Sequence, residues 1–222
     1  MFDAFQRQRY RRRVSGGPMR AFLDAPPPDP RTPLGEVELL SLDLETTGLD
    51  PKREALLSVG SVPVVGGAVK VGQSAHVLVR ADRSVAQSAT VHGLLDCDVE
   101  EGISLEDALA HVLERLAGRV LLAHHAVFDH GCLDHACRVV YGVPLLVPTV
   151  DTLAIARRRH HARAHQHHGT AAPDAFRLAT LREAHGLPAY HAHNALSDAL
   201  ATAELFLAMI AEDATLRLKD VL

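Results

Sequence analysis

The sequence has few cysteines and no long apolar run, and each absence narrows the class of protein. Its three cysteines, Cys97, Cys132 and Cys137, have none of the paired spacings of a metal site. A small, odd number of thiols is typical of a reducing compartment, so we expect reduced, core-filling cysteines and a cytoplasmic location. No apolar segment is long enough to cross a bilayer. None follows the basic residues at the start of the chain as a secretory signal requires, so we expect no membrane association.

An excess of positive charge is also lacking. The chain has 23 lysine and arginine residues against 27 aspartate and glutamate residues, a net charge of −4 with histidine neutral. The chain as a whole is therefore not a polycation, and it would need a local basic patch or bound metal ions to hold nucleic acid. Its 222 residues, 47% of them hydrophobic, have the size and composition of one globular domain.

The pattern divides the chain near Leu34. Residues 1–34 combine an arginine cluster with the proline-rich run DAPPPDPRTP, which disfavours regular structure and predicts a flexible N-terminal arm. Residues 35–222 have regular hydrophobic periodicity and predict one domain. This domain begins with strands: VELLSLDLE, ALLSVGSVPVVGGAVKVG and SAHVLVR predict an antiparallel meander. Gly66 and Gly67 are expected in a hairpin turn.

Helices dominate the second half of the sequence. Ser104 begins a capping pattern before a helix that Gly118 ends. RVLLAH predicts a further strand, VDTLAIARRR a strand or turn that leads into a helix, and RRRHHARAHQHHGTAAPDA a loop or ragged helix end. FDHGCLDHACRVVYG, FRLATLREAHGL and residues 194–211 predict three more helices. A meander followed by this alternation predicts an α/β fold with a mixed sheet.

Four acidic residues are predicted near the ends of these elements. Asp43 and Glu45 are two apart on the first strand, so both point to one face, where two buried like charges need a positive partner. Asp129 follows RVLLAH, and Asp198 lies in the first turn or two of the last helix. Each acid alone has a structural explanation, such as a solvated strand face or a helix N-terminus. In combination, at the carboxyl ends of strands, they indicate a metal site.

Oxygen ligands favour Mg²⁺ or Mn²⁺. Two such ions about 3.5–4 Å apart can clamp the attacking and leaving oxygens of a phosphoryl displacement. His193 precedes Asp198 by five residues, a rotation of about 140° on an ideal helix, so it is expected in the segment that leads into the helix. As a neutral imidazole it could accept a proton from an attacking water.

Three segments carry a resemblance to a known family. LDLETTGL, AHHAVFDHGCL and HNALSDA resemble the exonuclease motifs of the DEDDh 3′–5′ exonucleases, the superfamily of the proofreading epsilon subunit of bacterial DNA polymerase III, ribonuclease T and oligoribonuclease. VHGLLDCDV is similar to the family's His-Gly-Ile turn, and VDTLAIARR to its segment before the third motif. The resemblance spans residues 36–208. It implies a ribonuclease H-like fold, in which helices flank a five-stranded mixed sheet.

The resemblance also implies a role for each site residue. Asp43, Glu45 and Asp198 would bind the metal ion that activates water. Asp43 would bridge to a second ion that Asp129 helps to hold, and His193 would be the general base. Backbone groups in the turn after the first strand would receive the terminal 3′-OH, and the last residue of that turn would wedge against the base; these residues are Thr46, Thr47, Gly48 and Leu49.

The implied function is a 3′–5′ exonuclease that releases nucleoside 5′-monophosphates from DNA with two Mg²⁺ or Mn²⁺ ions. The expected partners are single-stranded DNA with a free 3′ end and a polymerase or another replication or repair protein. An RNA-trimming exoribonuclease shares this site, and contacts to the 2′-OH, which would distinguish it, are not visible in the sequence. A non-catalytic binding module on the same fold is the other alternative. Its signature would be a missing acid or base, and none is missing.

Two histidine features fall outside this pattern. His125 replaces the asparagine that the family usually has in its second motif, and an imidazole offers a different hydrogen-bonding geometry from an amide. How that turn is held is therefore an open question. The run HHARAHQHH, residues 160–168, could bind a transition metal or a phosphate backbone, but a solvated loop is the simpler interpretation.

Overall fold

A computed structural model describes residues 4–81, 100–167, 172, 174–190 and 193–222, with side chains described for all of these except residues 163–167. These residues form an α/β structure around one mixed sheet. The strands are β1 (Leu39–Thr46), β2 (Leu56–Val65), β3 (Ala68–Val69), β4 (Ala75–Leu78), β5 (Val120–Ala123) and β6 (Thr149–Asp151).

Strand β1 lies at the centre of this sheet. It pairs with β2 in the antiparallel sense and with β5 in the parallel sense, and β5 pairs with β6, also parallel. The short strands β3 and β4 both pair with the outer edge of β2. The described sheet therefore has six strands in five lateral positions. The resemblance implied a five-stranded sheet, and the count differs because two short strands share one edge.

The expected hairpin is present between β2 and β3. Gly66 and Gly67 have φ angles of 60° and 70°, and positive values at both central residues are what a tight hairpin turn requires. The predicted meander is thus confirmed, with its last strand divided from the hairpin by a short 3₁₀ turn, Val71–Gln73.

Seven α-helices are described: α1 (Ala4–Arg11), α2 (Gly17–Asp24), α3 (Leu105–Leu116), α4 (Ala126–Tyr141), α5 (Thr152–His167), α6 (Leu178–Ala184) and α7 (Ala195–Ile210). The predicted start of α3 is confirmed, since the Ser104 hydroxyl accepts a hydrogen bond from the Asp107 backbone N–H. Glycines with positive φ follow α3, α4 and α6: Gly118, Gly142 and Gly186. None of the described helices combines the length and apolar character of a membrane span.

Helices cover both faces of the sheet. Leu40, Leu42 and Leu44 of β1 point to one face and join the core formed with α2, α3 and α4. Alternate residues of β1 point to the opposite face, where Leu39 packs in a second core with α7. Because side chains alternate along a strand, Asp43 and Glu45 lie on the α7 face.

Two of the three cysteines are described, and neither is paired. Cys137 is buried in the core beside α3, and Cys132 is partly buried. Burial raises the pKa of both thiols to about 12, so both are protonated at neutral pH, as expected of core-filling residues. Cys97 lies outside the described residues.

The N-terminal segment differs from the predicted flexible arm. Helices α1 and α2 form there, and Met19, Phe22 and Leu23 are buried in the core against α3. The guanidinium of Arg7 is also buried and donates hydrogen bonds to the backbone carbonyls of Leu146, Phe22 and Ala25. The physical reason is the apolar i, i+3, i+4 pattern of Met19, Phe22 and Leu23, which follows the arginine cluster. The proline-rich segment that follows is irregular, as predicted.

The histidine-rich segment is helical further along the chain than predicted. It was expected to be a loop or ragged helix end, but α5 continues to His167. Alanine, arginine and glutamine favour helices, and the first glycine after this run is Gly169. Residues 168–171 and 173 lie outside the description.

Substitution of Phe22 tests whether α2 packs as described. The side chain is 2% exposed, so Phe22→Ala should lower the free energy of unfolding by about 3–5 kcal/mol. Phe5→Ala is the matched control: that ring is 69% exposed, and its loss should change stability by less than about 0.5 kcal/mol. Urea unfolding followed by circular dichroism measures both. Equally small losses for the two variants would contradict the docking of α2.

Candidate active site

Three carboxylates from two elements converge at the end of the sheet. Oxygen atoms of Asp43, Glu45 and Asp198 lie within 4.8 Å of one another. Strand β1 supplies the first two from one face. Helix α7 supplies Asp198 from its first turn. Asn194 fixes where the helix begins, because its side chain accepts a hydrogen bond from the Ser197 N–H at 3.1 Å. The Ser41 hydroxyl donates to the Ala199 carbonyl at 2.7 Å and so fixes α7 on β1.

Gly60 allows this close approach. It pairs with Asp43 across the β1–β2 ladder, and a Cβ atom built on it would clash with the backbone of Ala195 and Leu196. Helix α7 therefore begins directly against the β2 backbone. Any side chain at position 60 would push the start of α7, and with it Asp198, away from the β1 carboxylates.

Asp129 adds a fourth carboxylate from the first turn of α4. It is buried and is not part of the 4.8 Å group. Its charge is nevertheless the strongest of the neighbouring charges that act on Asp43, and the Leu44 backbone hydrogen-bonds to it. The structure thus brings together all four acids that the sequence singled out, with Asp43 at their centre.

Burial raises the pKa of every one of these acids, and repulsion from neighbouring carboxylates raises it further for Asp43, Glu45 and Asp129. Desolvation raises the pKa of Asp43 well above its usual value, and the charges of Asp129, Asp198 and Glu45 raise it further. Desolvation and then Asp198 raise the pKa of Glu45 to about 7. Desolvation raises the pKa of Asp129 to about 8. The pKa of Asp198 is also raised by burial, against an opposing hydrogen bond from His193.

No arginine or lysine among the residues that the structure describes forms an ion pair with any of the four acids. Burial raises the pKa of Asp198 overall, although the charges of His193 and Arg182 lower it. The buried hydroxyl of Ser58, a residue that pairs with Glu45 across the ladder, has no hydrogen-bond partner among the described residues. A cluster whose donors are all oxygen, with raised pKa values and no ion pair, fits a hard divalent metal ion.

His193 lies immediately before the Asn194 cap, in the lead-in segment where it was predicted. Its backbone has φ 66°, the left-handed region, and its N–H donates to Asp198 Oδ2 at 2.8 Å. The side chain is exposed. The imidazole is thus attached beside the acidic cluster with its ring open to solvent, where it can accept a proton.

The turn after β1 is held by its own side chains. A register shift follows Glu45, the Thr46 hydroxyl donates to the Gly48 carbonyl at 2.6 Å, and the Thr47 hydroxyl donates to Glu54 at 2.6 Å. Leu49 at the tip is 89% exposed. An exposed leucine on a fixed turn next to the acids is available for contact with a ligand.

The structure explains how His125 replaces an asparagine. Its φ of 73° is left-handed, a conformation in which both histidine and asparagine are enriched. The turn is held through the backbone, because the His125 N–H donates to Asp151 at 3.0 Å and the side chain makes no capping bond. The neighbouring His124 contacts the Thr152 hydroxyl at 2.8 Å and the Phe176 carbonyl at 3.0 Å. The substitution therefore leaves the turn intact.

Several supporting residues were not identified from the sequence: Gly60, Glu54, Asp151 and His124. Gly60 carried a usable signal, because an isolated glycine within a strand pattern often marks a close backbone approach. The others act through contacts between distant segments, which no local pattern reveals. The segment VHGLLDCDV lies outside the described residues.

Comparison with known proteins identifies the family. The sequence model of the RNase T-type exonuclease family matches residues 40–206. The chain belongs to this exonuclease family. Among curated relatives, it is 30% identical over 177 residues to a PolC-type DNA polymerase III of Thermotoga maritima, covering 79% of this chain and 12% of that protein. It is 28% identical to a DNA polymerase III subunit epsilon-like protein of Rhodobacter capsulatus, over 81% of this chain and 24% of that protein.

Solved structures show the same fold. The crystal structure of E. coli exonuclease I in complex with a dA16 oligonucleotide matches with a TM-score of 0.69 at 17% identity, over 80% of this chain and 41% of that one. Exonuclease I from Methylocaldum szegediense matches with a TM-score of 0.66 at 19% identity, over 80% and 41%. The α/β, ribonuclease H-like fold is thereby confirmed. The exonuclease-family chain spans less than half the length of each protein named here.

Gly60→Ala tests the close approach of α7. The added methyl group should cost about 1–3 kcal/mol of stability and move Asp198 away from β1. If Mg²⁺ raises the Tm of the wild type, the rise should be smaller in this variant. Gly72→Ala is the control, since a Cβ there meets nothing within 4 Å. Differential scanning fluorimetry with and without Mg²⁺ measures both effects. A Gly60→Ala variant with wild-type Tm and wild-type Mg²⁺ response would contradict the packing described.

The raised pKa values predict how pH affects the metal-free protein. A carboxyl whose pKa is higher in the folded state stabilises the fold while it is protonated, and this stabilisation is lost as pH rises through the folded-state pKa. That pKa is about 7 for Glu45 and about 8 for Asp129. Asp43→Asn should therefore raise the Tm in EDTA, and its advantage over wild type should grow from pH 5 to pH 8. A pKa shift of one unit corresponds to about 1.4 kcal/mol of folding free energy. Each kcal/mol changes the Tm by roughly 2–4 °C.

The control for this pH series is Glu212→Gln, which neutralises an exposed carboxylate and should show no such trend. An advantage of Asp43→Asn that stays constant or shrinks with pH would mean that the cluster is not strained by its own charge.

Proposed function

We propose that this chain is a metal-dependent 3′–5′ exonuclease that releases nucleoside 5′-monophosphates from DNA, in proofreading or repair. The observation that carries the proposal is the cluster of Asp43, Glu45, Asp129 and Asp198. These acids lie close together with raised pKa values and form no ion pair within the described part of the chain, in a member of the exonuclease family. Buried repulsion of this kind is costly unless a bound cation relieves it.

Two divalent ions, Mg²⁺ or Mn²⁺, are the proposed cofactors. Asp43, Glu45 and Asp198 would hold one, and Asp43 with Asp129 would hold the other. Two such ions carry a charge of +4, equal in size to the −4 of four ionised carboxylates. When bound, they supply Lewis-acid stabilisation of negative charge on the phosphoryl and leaving oxygens. They also make an acidic pocket attractive to a polyanion.

His193 is the proposed general base. Its exposed imidazole stands beside the cluster, and its backbone is fixed to Asp198. A neutral imidazole can take the proton of a water that attacks the terminal phosphodiester.

The turn after β1 is the proposed binding site for the terminal nucleotide. Backbone groups of Thr46, Thr47 and Gly48 would receive the 3′-OH, and Leu49 would pack against the last base. The hydroxyl bonds of both threonines hold the turn in one conformation before the substrate arrives, which lowers the entropic cost of binding.

Single-stranded DNA with a free 3′ end is the proposed substrate. Support comes from the relatives, which are DNA polymerase III proteins by name, and from the oligonucleotide held by exonuclease I. A polymerase or another replication or repair protein is the corresponding partner. The cytoplasmic location expected from the sequence remains a prediction.

Cleavage of 5′-labelled oligonucleotides tests this function. Wild type should shorten single-stranded DNA from the 3′ end in Mg²⁺ and not in EDTA, and should release 5′-monophosphates detectable by chromatography. Asp43→Ala and His193→Ala should remain folded and cleave at least about 100-fold more slowly, because general-base catalysis alone contributes about 10²–10⁴. His161→Ala, which removes an exposed imidazole of α5, is the matched control and should cleave at the wild-type rate.

Near-normal cleavage by either purified variant would refute the residue assignment. A wild-type protein that shifts the strand in a gel but leaves it intact would favour a binding module instead. RNA of the same sequence belongs in the same assay, because faster trimming of RNA would favour an exoribonuclease.

A further inference from the structure

In the segment that carries His193, the described residues just before this histidine form neither a helix nor a strand. Helix α6 ends at Ala184, residues 187–190 are irregular, and α7 begins at Ala195. His193 also has a left-handed backbone, which persists in a non-glycine residue only when its surroundings impose it. Something outside the segment must therefore hold it.

A buried arginine provides one attachment. Arg182 of α6 is 3% exposed, and its guanidinium joins three parts of the structure. It donates to the Ala201 carbonyl of α7 at 2.7 Å, to the Pro188 carbonyl of the lead-in segment at 2.9 Å, and to Glu204 Oε2 of α7 at 2.8 Å. Bonds of this charge-assisted kind are the stronger ones in proteins.

Tyr190 provides a second attachment, three residues before His193. The Arg182 guanidinium lies over the Tyr190 ring, with its Cζ atom 4.6 Å from the ring centroid. The Tyr190 hydroxyl donates to Glu204 Oε1 at 3.0 Å. Each Glu204 oxygen thus has one partner, the guanidinium on one and the phenol on the other. The lead-in segment is fastened at Pro188 and Tyr190 to the same helix that supplies Asp198.

We propose that Arg182, Glu204 and Tyr190 form a positioning network that sets the place of the His193 imidazole relative to the acidic cluster. The inference rests on the proposed function, in which His193 accepts the proton. None of the three residues is assigned contact with the substrate. Arg182 also acts on Asp198 through its charge, whereas Tyr190 reaches the site through the lead-in segment. Loss of the Tyr190 attachment should therefore change the rate of the chemical step and leave substrate binding unchanged.

The size of the effect follows from the demands of proton transfer. A general base must lie within hydrogen-bond reach of the proton that it removes, and a displacement of about 1 Å can cost about a hundredfold in rate. Loss of the Tyr190 hydroxyl bond removes the attachment nearest to His193 while the ring and the Arg182 contacts remain. His193 then keeps its backbone bond to Asp198, but its imidazole samples a wider range of positions.

Tyr190→Phe is the decisive variant, because it deletes one hydroxyl and preserves the stacked ring. We expect kcat on single-stranded DNA to fall about tenfold, the rate loss of a displacement below about 1 Å, with KM within about twofold of wild type. Glu204→Gln, which keeps the shape of that side chain, should act in the same direction. Tyr141→Phe is the matched control, since that hydroxyl contacts the Glu106 carbonyl on α3; it should leave kcat and KM at wild-type values.

A second measurement separates positioning from general stability. In a His193→Ala background, Tyr190→Phe should cause no further loss of kcat, because the group that it positions is gone. An equal fractional loss in both backgrounds, or a Tyr190→Phe variant with wild-type kcat, would overturn the proposal. Either result would leave the proposed function standing, provided that His193→Ala itself is slow. A His193→Ala variant at the wild-type rate would instead refute the base assignment.

Discussion

Repulsion among four carboxylates at one end of the sheet is the constraint on which the site depends. Asp43 lies at the centre of this group, and the charges of the other three all act on it. A chain that needed only stability would replace such a cluster with apolar side chains, because buried like charges are costly. This fold instead holds the acids in place with no ion pair to an arginine or lysine among the described residues, which is the arrangement expected of a site that binds divalent metal ions.

The supporting structure serves that arrangement. Alternation along β1 directs Asp43 and Glu45 to the face opposite the leucine core, and Gly60 lets the first turn of α7 reach the same face. The Asn194 cap fixes where α7 begins, so Asp198 arrives opposite β1. Together these contacts hold the acids close to one another. Packing of the apolar residues in the sheet and helices offsets the electrostatic cost of this arrangement.

Much of this arrangement could be predicted from the sequence. The leucines of β1, the Ser104 cap and the glycine helix ends are local signals, and the three motifs gave the acids and His193. The docking of α2 was hidden because its short apolar pattern lies between an arginine cluster and a proline-rich run, and the extension of α5 because histidine is ambiguous as a helix signal. Nothing in FRLATLREAHGL distinguishes Arg182 from an exposed helix residue. Its burial follows from Glu204 and Pro188, which approach it only in the folded chain.

The most direct test of the central claim is a crystal structure of the protein soaked in Mn²⁺, with anomalous scattering used to locate the ions. We expect two anomalous peaks. One should be coordinated by Asp43, Glu45 and Asp198, and the other by Asp43 and Asp129. Ordered density for these four side chains with no anomalous peak between them, or with a lysine or arginine in that place, would contradict the account.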